Sequence, residues 1–181
     1  MHSDMIGKIE KARVYATEPE RLQIHELSVI FRGENSTHQI SLSDGIWHHD
    51  HEDDHQISPH VMALQRILAP MLPAAAQALV EEPGVPMYSN VIGKIEKARI
   101  YANEPERITI QTLRATFRGS NGTHVITLDA AQQWSCDCEF FLAWGTCQHV
   151  MATRKILEPM LSPEALQNAT FAASPYETVS V

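Results

Sequence analysis

Ile6-Gly-Lys-Ile-Glu-Lys-Ala-Arg13 recurs without change as Ile92-Gly-Lys-Ile-Glu-Lys-Ala-Arg99. The match continues through Tyr15 and Tyr101, Glu18-Pro-Glu-Arg21 and Glu104-Pro-Glu-Arg107, Phe31-Arg-Gly33 and Phe117-Arg-Gly119, Thr37-His38 and Thr123-His124, and Ile40 and Ile126. Across this stretch about two-thirds of aligned positions are identical. After a gap, His60-Val-Met-Ala63 answers His149-Val-Met-Ala152, and Ile67-Leu-Ala-Pro-Met-Leu72 answers Ile156-Leu-Glu-Pro-Met-Leu161. The chain is a tandem duplication, and one structural reading must serve both copies.

In the second copy, Ala98, Ile100 and Ala102 alternate with Lys97, Arg99 and Tyr101, which predicts a strand over Lys97 to Ala102. Asn103-Glu-Pro105 reads as a turn, because proline fixes its own φ and restricts the residue before it. A longer strand follows from Arg107 to Arg118, with Ile108 and Ile110 in one phase and Leu113, Ala115 and Phe117 in the other. That change of phase at Gln111-Thr112 predicts a bulge. Gly119-Ser-Asn-Gly122 is a hairpin signal, His124 to Leu128 alternates again, and Gln132 to Ser135 is a short strand. His149 to Leu157 has helical spacing and stops before Pro159. The first copy ends likewise in a helix from about His60 to Leu72, with Pro73 to Val80 as a further short helix. The expected fold class is α+β: two tandem units, each an antiparallel sheet followed by a C-terminal helix. The expected boundaries are 1–80 for the first repeat, 81–86 for a linker, 87–168 for the second repeat, and 169–181 for a flexible tail.

All three cysteines of the 181 residues fall between Cys136 and Cys147. An odd number cannot complete a disulfide framework, so metal ligation is the better reading. Cys136-Asp-Cys138, eight intervening residues, then Cys147-Gln-His149 gives three thiolates and an imidazole, a set suited to a closed tetrahedral zinc. A Cys-x-Cys pair at a strand end and a Cys-x-His pair at a helix start would staple sheet to helix. A repeat of this size has a thin core, and structural zinc contributes on the order of 10 kcal/mol to folding. The competing reading, three free cysteines packed as small hydrophobes, leaves their clustering unexplained.

This pattern resembles the SWIM-type zinc finger, whose signature is Cys-x-Cys, a variable gap, then Cys-x-His. The resemblance covers about Gly122 to Leu157, including the apolar Val150-Met-Ala152 after the last ligand. It implies that Cys136, Cys138, Cys147 and His149 are zinc ligands, and that the role is DNA binding or protein–protein interaction. The family occurs in chromatin-remodelling, transposase-like and kinase-associated proteins, but no helicase or nuclease portion is visible in this sequence, so those contexts do not transfer.

In the first copy the cysteines are replaced. Alignment places His49 and His51 opposite Cys136 and Cys138, Ser58 opposite Cys147, and His60 opposite His149. One reading is a second metal site of His49, His51 and His60 with His55 or Asp54 as fourth ligand, open to zinc, nickel or copper. The other is a degenerate finger whose His-rich acidic loop is solvated. Hydrolytic catalysis at such a site, with Glu52 or Asp53 as base, would require a vacant coordination position and a substrate pocket that a sheet this small does not suggest. A binding module is therefore expected, not an enzyme.

Most of the net charge of −8 lies before Pro86, leaving the second repeat nearly neutral. That balance disfavours a general polyanion binder. A nucleic-acid face, if there is one, is expected from Lys97, Arg99, Tyr101, Arg114 and Arg118 on one side of the sheet. The rival is a protein partner docking on Phe140, Phe141, Leu142 and Trp144, of which about half are expected to be core. No apolar run of about 18 residues and no secretory signal are visible, so a cytoplasmic location is expected.

Overall fold

The computed structural model describes residues 2–50, 58–77 and 89–167. The first repeat runs α1 (His2–Tyr15), β1 (Leu22–Arg32), β2 (Thr37–Ser43), β3 (Ile46–His49), α2 (Pro59–Leu68) and α3 (Ala74–Gln77). In the second are α4 (Ser89–Ala102), β4 (Ile108–Arg118), β5 (Thr123–Leu128), β6 (Trp134–Cys136), α5 (Glu139–Trp144), α6 (Gln148–Leu157) and α7 (Pro163–Gln167). The class is α+β. The expected linker at 81–86 and the tail from 169 lie outside the described residues.

One expectation is overturned. Lys97 to Ala102 is not a strand but the end of α4, and its counterpart closes α1. The alternation that suggests a strand is an accident of a six-residue window. Over the longer window the shielded positions are Met5, Lys8, Ile9, Lys11, Ala12 and Tyr15 in α1, which is helical spacing. Ala, Lys, Glu and Arg in this segment are strong helix formers, and the Ala-Lys-Glu backbone preference wins where only Ala98 and Tyr101 are fully buried.

The strands of the two repeats do not form separate sheets. All six make one antiparallel sheet in the order β3-β2-β1-β4-β5-β6. The seam is β1 with β4, paired from Leu22 opposite Phe117 to Phe31 opposite Ile108. The register skips Gln111 between the Ser28–Thr112 and Val29–Ile110 pairs, and skips His25 between Ile24–Ala115 and Glu26–Arg114. The expected bulge is present at Gln111, and each central strand carries one. A bulge here switches which residues face the helices, so Ile108 and Ile110 on one side of it and Leu113, Ala115 and Phe117 on the other all enter the core.

A single core lies between the sheet and the helices. It joins Leu22, Ile24, Val29 and Phe31 of β1 to Ile108, Ile110 and Phe117 of β4, and to Leu64 and Leu68 of α2 and Val150 and Leu157 of α6. The opposite sheet face is open and polar, carrying Gln23, Glu26, Arg114 and Arg118. Two tryptophans at equivalent edges tie the short helices down. Trp47 Nε1 donates to the Ala76 carbonyl at 2.9 Å, and Trp134 Nε1 to the Ala165 carbonyl at 2.8 Å. Between β2 and β3, Asp44 and Gly45 both have positive φ, 51° and 77°, as a two-residue hairpin requires. A Cβ on Gly45 would also stand 2.8 Å from that of Ala75.

The N-terminal helices cross over. α1 packs on α6 of the second repeat, and α4 packs on α2 of the first. Arg21 Nη1 reaches across to the Arg118 carbonyl at 2.9 Å, and Arg107 Nη1 to the Arg32 carbonyl at 3.1 Å. Each repeat therefore completes the other.

Candidate metal centre

The four second-repeat residues arrive from three elements. Cys136 ends β6, where it pairs with Ile126. Cys138 is the N-cap of α5, its sulfur accepting from Phe141 N at 3.4 Å. Cys147 caps α6 in the same way, accepting from Val150 N at 3.5 Å. His149 is the second residue of α6, and its Nδ1 lies 3.9 Å from Cys136 Sγ. Capping by sulfur explains why the cysteines sit where Ser or Asp is usual: the cap residue's side chain is turned back over the first helical turn, toward the strand end.

All four ligand atoms lie within 4.8 Å of one another, and all four residues are buried. A tetrahedral zinc with Zn–S of about 2.3 Å would hold sulfurs roughly 3.8 Å apart, so contraction of an ångström or less suffices. The donor chemistry fits as well. No disulfide links the three thiols. Crowding them has an electrostatic consequence. Hydrogen bonding from Cys147 and His149 drives Cys136 far below the ordinary thiol range. Its bond to Cys136 and burial push Cys147 well above that range, and burial raises Cys138. A first thiolate is favoured at Cys136, and further ones are disfavoured without a countercharge. A dication supplies it, and the two backbone N–H groups on sulfur offset the remaining negative charge.

The imidazole of His149 is fixed from all sides. Its ring stacks on His124 at 4.4 Å and packs against Phe117 at 5.5 Å and Tyr15 at 6.2 Å. Tyr15 comes from the first repeat and is held by Ser120, with Oη 2.7 Å from Ser120 Oγ and accepting from Ser120 N at 2.9 Å. A Cβ on Gly119 would stand 2.9 Å from His149 Nε2, which accounts for glycine at that position. The Gln148 amide lies 3.2 Å from Nε2, and its oxygen has no other partner. With Nδ1 on a metal, Nε2 carries the proton, and the amide turned over accepts it, an outer partner of the kind that orients ligating histidines.

The structure places the first-repeat expectations differently. His49 occupies the place of Cys136, opposite Ile40 as Cys136 is opposite Ile126. Ser58 replaces Cys147 as the N-cap, accepting from Val61 N at 3.4 Å, and His60 matches His149. His49 and His60 do come together. His51 and His55, like Glu52, Asp53 and Asp54, lie outside the described residues. The residue missed from sequence is His38, whose ring joins the other two. Strand alternation puts it on the face of Ile40, two residues on, but only the pairing of β2 with β3 brings that face to His49.

The proposed basic face is also corrected. Lys97, Arg99 and Tyr101 belong to α4, while Arg114 and Arg118 sit on the open sheet face, so they share no surface strip. Several cations are also paired with acids: Lys97 with Glu34 at 3.2 Å, Arg107 with Glu104, Arg21 with Glu18 and Lys155 with Glu158 at 2.7 Å. Of the apolar finger residues, Phe140 and Phe141 pack partly onto the core, while Leu142 and Trp144 stay exposed at 75% and 37%.

Compared with protein-family models, curated proteins and solved structures, the chain matches none. Among the described residues no helix is long and apolar enough to cross a membrane. The functional reading therefore rests on the geometry of the site.

Proposed function

We propose that Cys136, Cys138, Cys147 and His149 hold one structural zinc, and that the chain is a SWIM-type binding module whose zinc-stapled finger docks a protein partner. The observation that carries the structural role is burial: none of the four residues exceeds 6% exposure. A catalytic zinc keeps a coordination position open to water or substrate, and here protein donors supply all four. The metal would join the end of β6 to the starts of α5 and α6.

The docking surface is α5 itself. It is a six-residue helix between the second and third cysteines, and a left-handed Gly145 at φ 70° ends it. Leu142 and Trp144 project from it. Phe140 and Trp144 line a shallow groove with Lys8 and Lys11 of α1, with Lys8 Nζ 4.9 Å from the Phe140 ring. Exposed Trp and Leu flanked by lysines fit an apolar, acidic protein segment. The nucleic-acid reading is weaker because the cations expected for it are dispersed over two surfaces, with Lys97 paired to Glu34 and Arg114 4.0 Å from Glu26, and the net charge is −8.

Salt separates the two. A fluorescent random-sequence duplex mixed with the zinc-loaded chain should show no binding at physiological ionic strength. Steep, salt-sensitive binding that Arg99→Glu and Arg118→Glu weaken would instead favour nucleic acid. Trp144→Ala with Leu142→Ala should leave zinc content and helicity unchanged while abolishing capture of protein partners by the zinc-loaded chain.

A further inference from the structure

We propose that the first repeat carries a second metal site, in which His38, His49 and His60 bind a divalent first-row transition metal through three imidazoles. It is separate in residues and in donor chemistry from the thiolate centre, and it does not depend on the role proposed above.

The three rings are packed together as side chains with an ordinary structural role are not. Ring centroids are 4.2 Å apart for His38 and His60, 4.9 Å for His38 and His49, and 5.6 Å for His49 and His60. One nitrogen from each lies within 4.8 Å of the others. His60 is 7% exposed, and its Nδ1 has no hydrogen-bond partner; both nitrogens of His49 are likewise buried and unpartnered. A buried imidazole nitrogen without a partner costs on the order of 1–3 kcal/mol, and a cation drawn to the point where one nitrogen of each ring converges would take up those of His49 and His60.

The surroundings hold the rings as ligands are held. Ser36 Oγ lies 2.9 Å from His38 Nε2, an outer partner that fixes that ring. His60 is stacked on Tyr101 of the crossing helix at 5.4 Å and lies edge-on to Phe31 at 5.0 Å. Gly33 makes room for it, since a Cβ there would be 3.3 Å from His60 Nε2. In the second repeat the equivalents of His49 and His60 are Cys136 and His149. The strand-end and helix-start positions that suit a metal are therefore kept, while sulfur is exchanged for nitrogen and His38 is added to the set.

Three neutral imidazoles select Zn(II), Cu(II), Ni(II) or Co(II) over Mg(II) or Ca(II). Without thiolates, this site should bind more weakly than its neighbour.

Cobalt(II) distinguishes the two by colour. Titrated into the full, metal-free, reduced chain, it should fill two sites. The tighter should give sulfur-to-cobalt charge-transfer absorption in the near ultraviolet, and the weaker only visible ligand-field bands. His49→Ala and His38→Ala should each weaken the second equivalent at least tenfold and leave the sulfur band intact, which also reports that the variant has folded. In the unmodified chain, proton NMR of the doubly loaded protein should show three hyperfine-shifted imidazole N–H signals beyond that of His149. Binding of a single equivalent, or a second equivalent indifferent to both substitutions, would overturn the proposal while leaving the thiolate centre untouched. Loss of the sulfur band with the second site retained would do the reverse.

Discussion

At the scale of single residues, the two halves place a histidine in the same buried position and treat it differently. His149 has a thiol at its Nδ1 and an amide at its Nε2. His60 has other imidazoles. Burial first, and the neighbouring His38 and His49 second, lower its proton affinity from the ordinary value to about 4. The unfolded chain, with histidine near 6.5, then binds a proton that the folded chain refuses. The metal-free protein should therefore lose stability as pH falls from about 6.5 to about 4, and His60→Gln should flatten that slope; urea unfolding across the range measures it. Stability unchanged over that window would show that His60 takes its proton in the folded state.

At the scale of elements, cap residues connect local structure to chemistry. Ser58 and Cys147 each accept the N–H three residues on and start a helix of ten residues. Ser58→Ala should cost about 1 kcal/mol by denaturant unfolding and leave metal content alone. Cys147→Ser keeps a competent cap yet removes a sulfur ligand, so its loss of stability should be several-fold larger and should vanish when both proteins are compared metal-free. Equal effects of the two would mean that Cys147 is only a cap.

The same elements show what was legible in the sequence. The central strands, the Gln111 bulge, the hairpin after Arg118 and the helix ending before Pro159 follow from alternation, phase change and turn chemistry, which are local signals. The end of α4 and its counterpart in α1 mimic strands because only a narrow stripe, Ala98 and Tyr101 in α4, is buried, and Ile100 stays exposed at 58%. A six-residue window over such a stripe mimics a strand. β3 had a signal in Asp44-Gly45. The Cys136, Cys138, Cys147 and His149 cluster is readable because Cys and His carry chemistry at fixed spacing. The approach of His38 to His49 and His60 is not, because it comes from the pairing of β2 with β3.

At the scale of the whole molecule, the repeats interlock. Tyr15 from α1 packs on His149 and Phe117, and Tyr101 from α4 packs on His60 and Phe31. β1 and β4 bury one another's edges along the seam. That arrangement could not be read from either repeat alone, since it concerns how two similar units share a sheet. A fragment of residues 87–168 would expose the edge of β4 and leave His149 without Tyr15. Because it carries Tyr101 in the equivalent place, it should associate as a two-fold dimer. Sedimentation of the zinc-loaded fragment tests this; a stable, folded monomer at micromolar concentration would show that the crossing helices are dispensable.

The convergence of three sulfurs and one imidazole on a single ion is tested most directly by X-ray absorption at the zinc edge, on the full chain loaded with one equivalent. The expected first shell is three sulfurs at about 2.3 Å and one nitrogen at about 2.0–2.1 Å. A shell of nitrogen and oxygen alone, with three freely titrating thiols in the folded protein, would contradict it.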